Sequence, residues 1–517
     1  MYFGVYTMQE LALAALREVL QFHNITASIF GVLFGLFIGS TPGLTISLGM
    51  VLLLPLTFTM KPVTSICMLL GLYASGMTGG SMSAILLNIP GTPSASATAL
   101  DGHELAKKGK AGEAMGVAVI SSFIGGIISL LCLVLVSPII AKFALKFGAP
   151  ELFALVLLGI TLICSFGQKS LIKGLLSGVL GLILMTVGLD PMMGTPRFTF
   201  GLVELQAGIP FLPAMIGLFA VPQLIQGIAC GERVIPKYDS EVSGILPKLR
   251  DIVRYLKTIL MGGILGTGIG AIPGAGGPIA VFLSYNYAIK INKKYSDNFG
   301  KGEPRGVAAP EAANNAVAGG AMIPMLTLGI PGDPITAILL GALMIHGLIP
   351  GPLLFQQNPQ FVYSIFWAFL VANIFNLLLA LITIKIWVRV LKVPKRVLLP
   401  IIATLCVIGT YALRNTFFDT GIMLVFGILA YFMKKYNIPV VPMLLALILG
   451  PSLEEHLRMS LIISQGNPAI FVKHPISLIF ILISIYSFIS PLLKPFFRRE
   501  KKVISPPEFC EPESEGL

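Results

Sequence analysis

Charge is what this chain has least of. Only 12% of its 517 residues are Asp, Glu, Lys or Arg, 55% are hydrophobic, and mean hydropathy is +0.87. Soluble domains carry about 25% charged residues, so a water-soluble globular fold is excluded and an integral membrane protein is implied. Histidine is scarce too, with five residues, and tryptophan scarcer, with two. The six cysteines are Cys67, Cys132, Cys164, Cys230, Cys406 and Cys510. They show no CxxC or zinc-like spacing, so they read as small apolar residues without a disulfide framework or metal centre. HExxH, G-x-S-x-G and GK[ST] motifs are absent, and Gly266-Thr267-Gly268-Ile269-Gly270 lies in an apolar run without βαβ context. With no nucleophile–base pair and no metal cluster, an intramembrane enzyme is not expected. The net charge of +12 sits in short loops between apolar runs, which points to orientation in the bilayer and not to nucleic acid.

What the chain does have is a broken apolar pattern that occurs twice. One copy reads Gly39-Ser40-Thr41-Pro42-Gly43, then Gly79-Gly80-Ser81-Met82, then Asn88-Ile89-Pro90-Gly91. The other reads Gly270-Ala271-Ile272-Pro273-Gly274, then Gly319-Gly320-Ala321-Met322, then Gly329-Ile330-Pro331-Gly332. Each Pro-Gly interrupts a run apolar enough for lipid. Backbone freed there cannot face hydrocarbon unsatisfied, so it must be buried in protein or line a wet cavity. Paired interruptions in two halves point to a transporter's binding site. A single break could be a mere kink, since Gly and Pro are common in membrane helices.

The basic loops give the topology. Lys107 to Lys110, Lys169 to Lys173, Arg233 to Lys257, Lys290 to Arg305, Lys385 to Arg396, Lys434-Lys435 and Lys494 to Lys502 are assigned to the cytoplasm. The loops Gly188 to Gln206, Gly351 to Gln360, Arg414 to Thr420 and Pro451 to His474 are assigned outside. Equivalent loops of the two copies carry opposite charge signals, so the copies are expected to be inverted in the membrane. Further crossings are expected at 114–138, 151–167, 174–190, 208–229, 362–384, 397–413, 418–433, 437–450 and 475–493. The fold expected is all-α and integral to the membrane. It has about eleven crossings plus re-entrant hairpins and two inverted-topology repeats with broken helices, N-terminus outside and C-terminus inside. The expected divisions are an amphipathic N-terminal segment (1–24, not a signal peptide) and a first repeat core (25–113). Intervening helices (114–230), a basic loop (231–257) and a second, inverted core (258–355) follow. The C-terminal helices (356–497) and a polar tail expected to be disordered (498–517) complete the chain.

The start of a second half-helix presents bare N–H groups that suit a carboxylate, and glycine lets a ligand approach the backbone. Thr41, Gly43, Thr45, Asn88, Gly91, Thr92, Gly274, Gly276, Gly332 and Asp333 are the candidate substrate-binding residues, with Gly277, Ser94 and Ser96 nearby. Oxygen-bearing side chains and freed carbonyls also suit a hard cation such as sodium. Glu311, Asn314, Asn315 and Thr327 are the candidates for a coupling ion. Several of these have plain structural readings: Glu311 as an interfacial helix start, Asp333 as a helix cap, His346 as a packed, hydrogen-bonded ring and His103 as a solvated one.

Long strings also match a known family in order. They include Thr41 to Thr45, Leu53 to Phe58, Tyr73 through Thr92, Asp101-Gly102 with Lys108 to Ala114, Gly306 through Gly332 and Leu340 through Phe355. Over roughly residues 25–450 the sequence resembles the large membrane subunit of the tripartite tricarboxylate transporters, the TctA family. The resemblance implies a multi-pass protein of the bacterial inner membrane that imports carboxylates on a sodium or proton gradient. It also implies a small membrane subunit and a periplasmic solute-binding protein as partners, and no tightly bound cofactor. A channel or a stand-alone carrier of organic anions is the alternative.

Overall fold

The computed structural model describes residues 7–165, 171–190, 192–229, 247, 249–390 and 395–497. Much of the basic loop 231–257 and all of the tail 498–517 lie outside the described residues.

The chain is helical nearly throughout. α1 (Met8–Val19) starts behind a capping box, in which Thr7 Oγ1 accepts the Glu10 N–H and Glu10 accepts the Thr7 N–H. α2 (Phe22–Ser40) and α3 (Ile46–Thr57) flank the first Pro-Gly. α4 (Pro62–Leu87) and α5 (Ser96–Lys107) flank the second, and α6 (Ala111–Ala144) follows. Next come α7 (Ala149–Ser165), α8 (Leu171–Met185) and α9 (Phe211–Ala229). The second copy builds α10 (Leu249–Gly270), α11 (Gly276–Ile291), α12 (Pro304–Leu328), α13 (Pro334–Ile345), α14 (Pro352–Gln357) and α15 (Pro359–Val390). α16 (Lys395–Arg414), α17 (Phe417–Lys435), α18 (Val441–Ile463), α19 (Ile470–Lys473) and α20 (Pro475–Phe497) complete it. The sheet among the described residues is one antiparallel pair, β1 (Gly188–Leu189) with β2 (Pro196–Arg197).

Every Pro-Gly falls between helices, as its chemistry requires. Proline cannot donate a backbone bond, and Gly43 and Gly274 take φ of +91° and +81°, the left-handed region that glycine enters freely. α4 ends on Asn88 at φ +55°, and α12 on Gly329 at φ +72°; both are left-handed C-caps. Eight described helices are long and apolar enough to cross a bilayer: α2, α4, α6, α9, α10, α15, α16 and α17. α7, α8 and the described part of α20 are apolar but shorter. The expected run 174–190 stops at Met185 because Gly188 turns into β1. The expected run 437–450 extends to Ile463 through Glu454, Glu455, His456 and Arg458.

α4 and α12 form the centre and are buried on nearly all faces. A membrane interior offers little hydrophobic drive for helices to associate, so close backbone approach does the work. Gly31, Gly35 and Gly39 of α2 lie against the Met68, Leu72 and Gly76 carbonyls of α4. Gly262, Gly266 and Gly270 of α10 lie in the same way against the Ala309, Ala313 and Val317 carbonyls of α12. A Cβ at any of these glycines would sit 2.0–2.7 Å from that carbonyl oxygen. The longer helices pack reciprocally: α6 lies on α12 and α10, and α15 on α4 and α2.

Bonds between loops separate two ends of the molecule. Lys108 Nζ donates to the Lys301 carbonyl, and Lys173 Nζ to that of Tyr436 at 2.6 Å. These residues lie in or beside loops assigned to the cytoplasm. Arg197 pairs with Glu454 at 2.7 Å and Arg458 with Asp190 at 2.9 Å, joining loops assigned outside. N–H groups of Met193 and Met192, with Arg458 beside them, hold the Asp190 carboxyl below the usual carboxylate range. Gln360 donates to Glu18, which docks α1 at the start of α15. Each bond joins loops of one assigned side.

Gly35→Leu or Gly266→Leu is expected to drive the side chain into a backbone carbonyl and lower the melting temperature in detergent by an amount equivalent to at least about 1–3 kcal/mol. Gly268→Ala, with nothing within 4 Å of the added carbon, is the control expected to melt at or above wild type.

Candidate functional site

Within each copy the two Pro-Gly breaks meet. The Gly91 N–H donates to the Gly80 carbonyl at 3.1 Å, and a Cβ on Gly91 would lie 2.0 Å from the Gly39 carbonyl. In the second copy the Gly274 N–H donates to the Gly332 carbonyl at 3.0 Å, and a Cβ on Gly332 would lie 2.6 Å from the Gly270 carbonyl. Gly91, Gly274 and Gly332 therefore let backbone satisfy backbone. That is a structural use of glycines expected to face substrate.

Helix starts after the four breaks differ in what holds their N–H groups. At α3, Thr45 Oγ1 accepts the Leu48 N–H at 3.2 Å and also takes a bond from Gln223 at 2.7 Å. At α13, Asp333 accepts the Thr336 N–H at 2.7 Å in a full capping box, and its other oxygen takes the Tyr73 hydroxyl at 2.5 Å. Both ends are closed by the chain's own oxygens. At α11 no side chain caps the helix, and Gly276 stands at φ +68°. The short turn Pro93–Ala95 after Gly91 likewise has no side-chain cap.

These two uncapped starts face each other across the copies. A Cβ on Gly277 would lie 2.9 Å from Ser94 Cβ and 3.9 Å from Asn314 Oδ1. That amide oxygen is fully buried without a hydrogen-bond partner. Thr92 Oγ1 and Ser94 Oγ are 3.2 Å apart. The structure thus gathers Thr92, Ser94, Gly277 and Asn314 into one buried polar cluster, with half-buried Gly276 beside it at the open start of α11.

Glu311 is not at an interface: it lies two turns into α12 and is fully buried. Its carboxylate accepts hydroxyl bonds from Ser81 of α4 at 2.5 Å, from Thr98 of α5, and from Ser122 of α6 at 2.9 Å. No Lys or Arg pairs with it among the described residues. Asn315, one turn on, donates to Thr78 at 3.4 Å, as does Asn376 at 2.9 Å. Both Asn315 and Asn376 keep an unpartnered buried oxygen. Thr98, Ser122, Thr78 and Asn376 carry no candidate signal in the sequence, and Ser81 appears there only within the Gly79–Met82 pattern. A buried hydroxyl opposite a lone intramembrane carboxylate is the signal, and it needs three dimensions.

Other candidates fall away from the pocket. Thr327 lies about 20 Å beyond Asn314 along α12 at 1.5 Å per residue and donates to its own helix at Ile323. Thr41 does the same to Phe37. Asn88 is an exposed C-cap and Gly43 an exposed turn. His103 is half-buried, with Nδ1 3.0 Å from the Ile85 carbonyl, instead of solvated. His346 is packed, but its Nε2 is buried without a partner, so the expected hydrogen bond there is missing. Two cavities lie elsewhere. One of about 260 Å³ is beside Arg197 and Glu454, and an apolar one of about 220 Å³ lies between Pro273, Phe143 and Phe480.

Tyr73→Phe is expected to remove one bond to a buried carboxylate, worth about 1.5–3 kcal/mol. A lowered melting temperature in detergent, with α-helix content unchanged, is the readout.

The model of the tripartite tricarboxylate transporter TctA family matches residues 25–445. An uncharacterized 52.8 kDa protein in the TAR-I ttuC' 3'region of Agrobacterium vitis is 38% identical over 485 residues, covering 93% of this chain and 95% of that one. A second uncharacterized protein of Agrobacterium vitis, from the TAR-II ttuC' 3'region, is 40% identical over 212 residues, 41% of this chain and 87% of its own. No solved structure matches. The chain belongs to the tripartite tricarboxylate transporter TctA family, a family of membrane transporters.

Proposed function

We propose that this chain is the large membrane subunit of a tripartite, binding-protein-dependent secondary transporter. It imports carboxylates of the di- or tricarboxylate type across the bacterial inner membrane, coupled to a sodium or proton gradient. A small membrane subunit and a periplasmic solute-binding protein are its partners. In this reading the chain crosses about eleven times, as two inverted repeats whose hairpins α2–α3 and α10–α11 re-enter the bilayer.

One observation carries the reading. The uncapped start of α11 faces the uncapped turn after Gly91, with the Asn314 oxygen and two hydroxyls between them. A carboxylate suits the uncapped N–H groups at the start of α11, with the Thr92 and Ser94 hydroxyls opposite, and two elements from different halves can separate to admit it from either side. Thr92 and Ser94 are at most 5% exposed, so this is a closed arrangement, and alternating access requires α11 and its hairpin to move relative to α4 and α5.

The test is uptake of radiolabelled citrate and succinate by cells expressing this chain with the genes flanking its own. Saturable accumulation that collapses when both sodium and proton gradients are dissipated is expected. Non-saturable flux indifferent to the gradients would instead mark a channel. Ser94→Ala and Asn314→Ala are each expected to raise the half-saturating carboxylate concentration about tenfold, the effect of losing one buried polar contact.

A further inference from the structure

The glycine ladders align the two halves residue by residue. Gly31, Gly35 and Gly39 meet Met68, Leu72 and Gly76, while Gly262, Gly266 and Gly270 meet Ala309, Ala313 and Val317. Gly91 also meets Gly80 as Gly332 meets Ala321. On this match Glu311 of α12 corresponds to Leu70 of α4, Ser81 to Met322, and Thr98 of α5 to Leu339 of α13. For the long helices, Ser129 lies against Gly319 as Asn376 lies against Thr78, which sets Ser122 of α6 opposite Phe369 of α15.

The outcome is one-sided. Glu311 and its three hydroxyl partners form a buried polar cage. At the equivalent place stand Leu70, Met322, Leu339 and Phe369, all fully or almost fully buried and all in one apolar cluster. The same helix crossing is thus built once from apolar groups alone. The polar version is not needed to pack it, and a buried ionisable carboxyl is the costlier choice. All members are neutral oxygens except one carboxylate, drawn from α4, α5, α6 and α12. A hard-oxygen shell with a single negative charge, and no Lys or Arg paired to it among the described residues, matches one monovalent cation and is electrically complete when one is bound.

We propose that Glu311, Ser81, Thr98 and Ser122 form the coupling-cation site, present once per chain and taking one positive charge, as a sodium ion or a proton. The inference rests on the transport reading above and gives it a site. Because the shell is shared between α12 of one half and α4, α5 and α6 of the other, binding the cation closes the halves on each other. Asn314, one turn from Glu311, then links a filled cage to the carboxylate pocket.

Melting of the purified chain in detergent tests the site without relying on flux. It is followed against sodium at fixed pH, with potassium replacing sodium at constant ionic strength, and against pH without sodium. Wild type is expected to gain stability along one of these two axes with a one-site profile, and the axis identifies the cation. Glu311→Gln should abolish that dependence. Ser122→Ala and Ser81→Ala, milder should Glu311→Gln misfold, should shift the half-saturating cation concentration about tenfold. Wild-type cation dependence in all three variants, or a wild type indifferent on both axes, overturns the site. Failure of the transport reading would look different, with cation-dependent melting intact and no carboxylate uptake in cells.

Discussion

Everything in this molecule depends on one constraint: backbone that leaves a helix inside the bilayer must find partners without water. Pro-Gly opens the backbone at the breaks, and glycine closes it again by letting chain touch chain. Gly274 bonding to Gly332, and Gly91 wedged against Gly39 beside Gly80, are two solutions of the same problem. Because the partners are backbone atoms, no side chain can be inserted between them. The two breaks of a half are fixed to each other and to the central helix, and only the helix starts beyond them vary.

That variation is where chemistry enters. Thr45 and Asp333 cap two of the starts, while α11 and the turn after Gly91 have no side-chain cap. The glycine contacts of the two copies match, and their polar groups do not. Gln223 and Tyr73 reinforce the capped starts, whereas Asn314 presents an unpartnered oxygen beside the uncapped one.

How much of this was legible beforehand follows from the range of each signal. Pro-Gly in an apolar run is local, so the breaks and most helix limits could be read directly. Loop charge is additive along the chain, so an assignment of sides could be read from it directly. Glu311 stood out by type, as a carboxylate in an apolar run, but its three hydroxyl partners come from helices about 190 to 230 positions away and look like any other Ser or Thr. The glycine ladders at 31, 35, 39 and 262, 266, 270 were hidden among 55 glycines, because spacing alone does not say which face meets a neighbour. Thr41 and Thr327 donate to carbonyls of their own helices, and Asn88 caps one. A hydroxyl or amide near a break more often ties down its own helix than reaches for a ligand.

Asp333 has a consequence of its own. Its carboxylate occupies a helix start that the other half leaves open, accepts the Tyr73 hydroxyl, and is buried. The chain therefore carries, in one half, a covalently tethered carboxylate at the helix start. A tethered group cannot diffuse off, so that helix start stays satisfied without water. Of the two helix starts, one is permanently occupied by the chain's own carboxylate, and the other has no side-chain cap.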